Sequence, residues 1–182
     1  MTATPCEVSW FSALCDDDYE FLGVADAALQ SSWEHCRNIA LTAEKGGFDN
    51  ILLPSGYALG IDTLAFAAGI APLLKRMRLL AAIRTGEMWP PQLARQLATI
   101  DQMLGGRLTV NIISSDLPGE TLASAPRYRR TVEVMALLRA QLNGEAIDVD
   151  GRPASGRWWP VGGRAAVATS RRCGWRPAGA CA

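Results

Sequence analysis

The sequence predicts an α/β protein: four parallel β/α units, the N-terminal half of a (β/α)8 TIM barrel, followed by an irregular C-terminal tail. Three observations predict it. Short aliphatic and β-branched runs alternate four times with segments of helical periodicity, the order expected of a parallel sheet covered by helices. Strand starts fall roughly 30–40 residues apart, close to the spacing in a barrel that builds eight units from ~250 residues. Connections after the strands are long and polar, whereas those after the helices are short and glycine-rich; in a β/α barrel the post-strand loops form the ligand-binding end.

Each element has a local reason. "EVSWF" (7–11) reads as a short strand with Val8 and Trp10 on one face, and the polar stretch after it reads as a long loop. "SSWEHCRNIALTAEKGGF" is a helix that Ser31 or Ser32 can cap; Glu34 lies three residues beyond Ser31, as in a capping box, and Gly46-Gly47 supply the stop. "DNILLP" (49–54) is a strand expected to be buried on both faces. "DTLAFAAGIAPLL" is a helix capped by Asp62, and "RMRLLAAIR" (76–84) a third strand. Pro90-Pro91 open the next helix, where proline is tolerated, and Gly105-Gly106 close it, with Leu97, Ile100 and Leu104 on one face. "RLTVNIIS" is the fourth strand. "RYRRTVEVMALLRAQLNG" is the fourth helix, with Val132, Met135, Leu138 and Leu142 along one side and Gly144 as its stop.

Composition bounds the function classes. The chain is 49% hydrophobic and 20% charged with a net charge of +0, which argues against nucleic acid or an anionic membrane as partner. "MTATPCEVSW" lacks the basic start and apolar run of a signal peptide, and no apolar stretch approaches the ~20 residues of a membrane span. Cys6, Cys15, Cys36, Cys173 and Cys181 show no CxxC pairing or metal-ligand spacing; they read as thiols in a reducing cytoplasm, with no metal site. The charge is split unevenly. Residues 1–151 carry a net −6, from 12 bases against 18 acids, whereas 152–182 hold six arginines and no acid. That basic Arg/Gly/Ala/Pro/Trp tail without periodicity has two readings, a tail that binds an acidic partner or an out-of-frame translation of GC-rich coding sequence.

Candidate site residues follow from the strand ends. In "LTVNIIS", Thr109, Asn111 and Ile113 share one face and Leu108, Val110 and Ile112 the other, so Asn111 points into the barrel if the apolar set lies under the helices. An unpartnered buried amide costs on the order of 1–3 kcal/mol, so Asn111 is either satisfied by neighbours or partnered by a bound heterocycle. Ser55 and Gly56 follow strand two, Arg84 and Thr85 strand three, Ser114, Ser115 and Asp116 strand four, and Arg127 and Tyr128 open the fourth helix; all fall at the same end. Helix capping, turns and surface decoration would explain each separately. His35 reads as a surface or packing residue, "DDDYE" (16–20) as a solvated loop, and Arg95, Asp101 and Arg107 as an ion-pair set bracing the third helix. There is no GxGxxG, P-loop or nucleophile elbow.

"FDNILLPSGYA", "ARQLATIDQMLGGRLTVNIISSD" and "RYRRTVEVMALLRAQLNGE" resemble the bacterial-luciferase-like flavin monooxygenases, especially the alkanesulfonate monooxygenase branch, over about residues 7–151. The resemblance divides the chain into a partial luciferase-like barrel (1–151) and the tail (152–182). It implies reduced FMN, supplied by a separate flavin reductase, as cofactor, and O2 as co-substrate in oxygenating a small organic molecule such as an organosulfonate. It places Ser55 and Gly56 against the flavin ring and Asn111 at its polar edge. Glu120, Arg127 and Tyr128 would line the same site, with Arg84 and Thr85 bordering it. Catalytic residues are not assigned: the branch carries a cysteine after strand two where "SGYALG" has none, and the second half of the barrel, which supplies most of the phosphate site, is missing. Two further readings stand beside the oxygenase. One is a truncated, inactive half-barrel whose open strand edges lead it to self-associate as a homo-oligomer; the other is a relative using a deazaflavin for hydride transfer.

Overall fold

The computed structural model describes residues 6–16, 31–57 and 60–144; the tail after Gly151 and most of "DDDYE" lie outside them. Eight principal elements alternate: β1 (Ser9–Phe11), α1 (Trp33–Gly46), β2 (Asn50–Leu53), α2 (Thr63–Ile70), β3 (Arg78–Arg84), α3 (Pro90–Leu104), β4 (Leu108–Ile113) and α4 (Ser124–Leu142). A 3-10 turn, Ala71–Leu73, follows α2 and contains Pro72. The strands form one four-stranded sheet in the order β1-β2-β3-β4, all parallel, so the fold class is the half TIM barrel expected.

Register sorts the side chains. Trp10, Ile51 and Leu79 align across β1 to β3, as do Phe11, Leu52 and Leu80. Leu79 N–H donates to Arg107 O at 3.1 Å and Thr85 N–H to Ile113 O at 3.2 Å, which sets Ala82 beside Asn111. Ile51, Leu53, Leu79 and Ala81 are buried toward the helices. On the opposite, inner face Phe11, Thr109 and Asn111 are exposed and Asn50 and Leu52 only half-buried. Two expectations change here. β2 alternates between buried and half-buried positions instead of being dry on both faces, and Asn111 stands in solvent, so no desolvation penalty attaches to its amide.

The chain divides into two compact units, residues 1–83 with 99–112 and residues 84–98 with 113–182. In the first, Ser32 caps α1, its Oγ accepting the His35 N–H at 3.1 Å, and Gly47 at φ 92° ends it. Ser31 is engaged elsewhere: its hydroxyl donates to Ala13 O and accepts the Asp16 N–H at 2.8 Å, pinning the segment after β1. Cys36, Ala40 and Ala43 form the buried stripe of α1, and Trp33 meets Phe66 of α2 edge-on at 5.4 Å. The Glu44 carboxylate accepts the backbone N–H groups of Lys75, Arg76 and Met77 at 2.8–2.9 Å, clamping the turn into β3 to the end of α1.

Of the expected set of Arg95, Asp101 and Arg107, two members brace the end of α3 through backbone groups. Arg107 donates to the carbonyls of Leu104, Met77 and Leu74 at 2.6, 3.1 and 2.9 Å, while Asp101 accepts the Leu108 N–H at 3.0 Å. Helix-terminal carbonyls lack intrahelical partners, and a guanidinium supplies several donors at once.

In the second unit α4 buries Arg130, Thr131, Val134 and Leu138, whereas Val132 (66% exposed) and Met135 (47% exposed) face outward. This overturns the apolar side read from Val132, Met135, Leu138 and Leu142. The buried face is partly polar: Arg130 and Thr131 make the contacts described below.

Candidate functional site

The polar residues that follow the strands fall into both units, and each group has its own internal order. In the second unit, Arg84 ends β3 and Thr85 follows it. Arg84 Nη1 donates to Ser115 Oγ at 2.9 Å, linking the segments that leave β3 and β4. Thr85 is buried, and its hydroxyl is 2.9 Å from that of Thr131 on α4. Gly86 follows at φ 103°, where a Cβ would stand 3.0 Å from Leu117 Cδ1 and 3.2 Å from Arg130 Cδ, so only glycine lets the chain turn there.

Arg130, which sequence reading passed over as one of three arginines in "RYRR", organises this group. It is 6% exposed. Its Nη1 donates to Glu120 Oε2 at 2.6 Å and its Nη2 to Ser115 O at 2.8 Å. Glu120 also accepts the Leu117 N–H at 3.4 Å. The carboxylate expected to line a cofactor is thus held inside the loop by an arginine. Thr85 and Glu120 face inward to protein partners; Arg84, Arg127 and Tyr128 are the members with surface to offer. Arg127 Nε stands 3.6 Å from Asp116 Oδ1 without hydrogen-bonding it, and Asp116 Oδ1 accepts the Leu122 N–H at 3.1 Å. Tyr128 is exposed at the opening turn of α4. Ser114 Oγ and Arg127 Nε are buried atoms without a hydrogen-bond partner among the described residues.

In the first unit, Ser55 and Gly56 follow β2, and Asn111 occupies the exposed inner face of β4. A Cβ on Gly56 would lie 3.1 Å from Cys15 Sγ. The sequence showed no cysteine in the loop after β2, yet the segment after β1 delivers one to it; no local signal could have revealed a contact between residues so far apart in the chain. A Cβ on Gly60 would meet Leu14 O at 2.6 Å, and Ile61 N–H donates to Leu14 O at 2.9 Å, so the segments leaving β1 and β2 pack backbone to backbone. Ser12 is fully buried with no hydrogen-bond partner for its Oγ among the described residues.

Chemically, the second unit gathers guanidinium, phenol and hydroxyl donors suited to an anionic oxygen group. The first offers an amide, a glycine and a thiol beside an apolar face, suited to a flat ring with polar edges. Among the described residues no cluster of His, Cys, Asp and Glu is arranged to hold a metal ion, and no helix is long and apolar enough to cross a membrane.

Comparison with known proteins bears on these groups. The chain is 65% identical over 158 residues to the sulfoquinovose monooxygenase of Novosphingobium aromaticivorans, covering 83% of this chain and 44% of that protein. It is 59% identical over 145 residues to the sulfoquinovose monooxygenase of Agrobacterium fabrum, covering 80% of this chain and 38% of that one. The chain therefore spans less than half the length of these curated relatives. Among solved structures, the oxygenating constituent of 3,6-diketocamphane monooxygenase from Pseudomonas putida, in complex with FMN, superposes with a TM-score of 0.64. It has 16% sequence identity and the match covers 84% of this chain and 42% of that chain, a likeness of fold. The family model described as luciferase-like monooxygenase matches residues 20–169, running past Gly151. With most of its length inside that match, the chain belongs to the luciferase-like monooxygenase family.

Proposed function

We propose that this chain comprises the first four β/α units of a reduced-FMN- and O2-dependent monooxygenase acting on an organosulfonate, sulfoquinovose or a close analogue, and that by itself it does not turn over. The observation that carries the second clause is the open inner face of the sheet: Phe11, Thr109 and Asn111 stand in solvent. An oxygenase must exclude water around its reacting atoms, and the described residues leave that face uncovered. Identity of 65% and 59% to two sulfoquinovose monooxygenases supports the substrate class.

The donors present fit the flavin. In the second unit Ser114 Oγ, without a hydrogen-bond partner among the described residues, together with Arg84, Arg127 and Tyr128, suits an anionic oxygen group such as the flavin phosphate. In the first unit Ser55, Gly56 and the exposed amide of Asn111 suit a flat ring with polar edges, and a Cβ on Gly56 would crowd Cys15 Sγ at 3.1 Å. Thr85 and Glu120 act from behind by holding Thr131 and Arg130. When bound, reduced FMN supplies the chemistry that activates O2; the chain's residues orient the cofactor and shield it. A separate cytoplasmic flavin reductase delivers the reduced cofactor, and the substrate is a small molecule.

The test has two arms. Incubated with flavin reductase, reduced nicotinamide, FMN, air and sulfoquinovose, the chain alone is expected to release no sulfite above the reductase blank. Release above the blank overturns the inactivity. Grafted in place of the matching segment of the Novosphingobium enzyme, residues 1–151 are expected to support sulfite release, and Asn111→Ala to cut it at least about tenfold, the scale of a lost hydrogen bond to the cofactor. A graft that folds but releases none overturns the assignment.

A further inference from the structure

We infer that Arg130 is a positioning residue for anion binding: buried behind the donors of the second unit, it fixes Ser114 and Arg84 against each other so that both address one phosphate. This rests on reading those donors as a site for the flavin phosphate.

The inference starts from where the two segments leaving β3 and β4 are held. The segment after β4 is fixed at alternate carbonyls. Ile113 O accepts the Thr85 N–H at 3.2 Å, and Ser115 O accepts Arg130 Nη2 at 2.8 Å. Ser114 lies between these two anchors. Ser115 passes the restraint on: with its carbonyl on Arg130, its hydroxyl accepts Arg84 Nη1 at 2.9 Å. Arg130 and Thr131 are adjacent on α4 and take one segment each. The Thr131 hydroxyl donates to Arg127 O at 3.1 Å. A hydroxyl has one proton to give, so Thr131 accepts from the Thr85 hydroxyl 2.9 Å away.

The chemistry of the side chain fits this role. Arg130 is buried, and its Cδ and Nε lie 3.2 Å from where a Cβ on Gly86 would stand, so the side chain is packed in place behind the loop. Its Nη1 holds Glu120 Oε2 at 2.6 Å. A bare carboxylate in the same loop as the anion donors would repel a phosphate, and the guanidinium neutralises it. The rigid fork of a guanidinium serves the carboxylate and the Ser115 carbonyl together, which the point charge of a lysine ammonium does not. Arg130 therefore acts through Ser115 and Glu120 and not by touching the phosphate.

Titration of the full chain with FMN and with riboflavin, which differ by the phosphate alone, tests this through quenching of tryptophan fluorescence. The unaltered chain is expected to bind FMN at least about tenfold tighter than riboflavin, the scale of one charge-assisted hydrogen bond. Arg130→Lys keeps the charge but not the fork, and is expected to bring that ratio below about threefold. Partial unfolding lowers the apparent affinity for both flavins by the same factor, so the ratio separates positioning from stability. A variant that folds and keeps the tenfold preference overturns the inference and leaves the phosphate reading standing. An unaltered chain that binds both flavins equally, or neither, overturns the phosphate reading and the inference with it. Should Arg130→Lys fail to fold, Ser115→Ala decides: it removes the hydroxyl that carries the restraint to Arg84 and keeps the carbonyl that Arg130 holds. A ratio that falls supports the inference, and one that holds overturns it.

Discussion

At the scale of single residues, Arg130 sets the local order of the segments that follow β3 and β4. Its guanidinium bridges Glu120 and the Ser115 carbonyl while its stem lies under Gly86, so three chain segments meet on one side chain. With side-chain exposures of 8% and 19%, the Arg130–Glu120 pair is buried enough that removing one partner strands the other. Arg130→Met is expected to destabilise folding by about 3 kcal/mol, and adding Glu120→Gln to recover part of that loss. Chemical denaturation of the single and double variants checks it; a loss under about 0.5 kcal/mol would show the pair to be inert.

At the scale of elements, two features decide how units are built. The first is the rotation of α4. Leu138→Ala, on the buried face at 5% exposure, is expected to cost about 2–4 kcal/mol. Val132→Ala, at 66% exposure, should stay within about 0.5 kcal/mol. Thermal melts of the two variants distinguish the observed face from the one the sequence pattern suggested. The second is the clamp at Glu44. Burial alone would raise its pKa, but the backbone N–H groups of Arg76, Met77 and Lys75, with the charge of Arg107, outweigh burial and hold the carboxyl below the usual glutamate range. A depressed folded-state value means the contribution is present above the unfolded pKa and lost as pH falls through the folded one. Melting temperature should therefore drop on acidification between about pH 5 and 3, and Glu44→Gln should flatten that part of the profile. An unchanged profile in the variant would show that another carboxylate governs the drop.

At the scale of the whole molecule, function depends on what covers the inner sheet face. Among the described residues nothing covers Phe11, Thr109 and Asn111, which stand in solvent. Sulfite release from the isolated chain would contradict the proposed inactivity.

Much of this was legible in the sequence. Apolar runs before helical periods, Asp62 and the serine caps, and the glycine stops at Gly47 and Gly105-Gly106 are local signals, because capping and turn formation depend on residues within a few positions. They determined the order of units and the parallel sheet. The tertiary structure alone decided which serine caps α1, which way α4 turns, and that Glu120 belongs to Arg130 and Cys15 to Gly56. It also decided that Arg107 donates to three carbonyls and that Asn111 is wet. These depend on partners distant in the chain or on elements that cover a face, and periodicity carries no information about either.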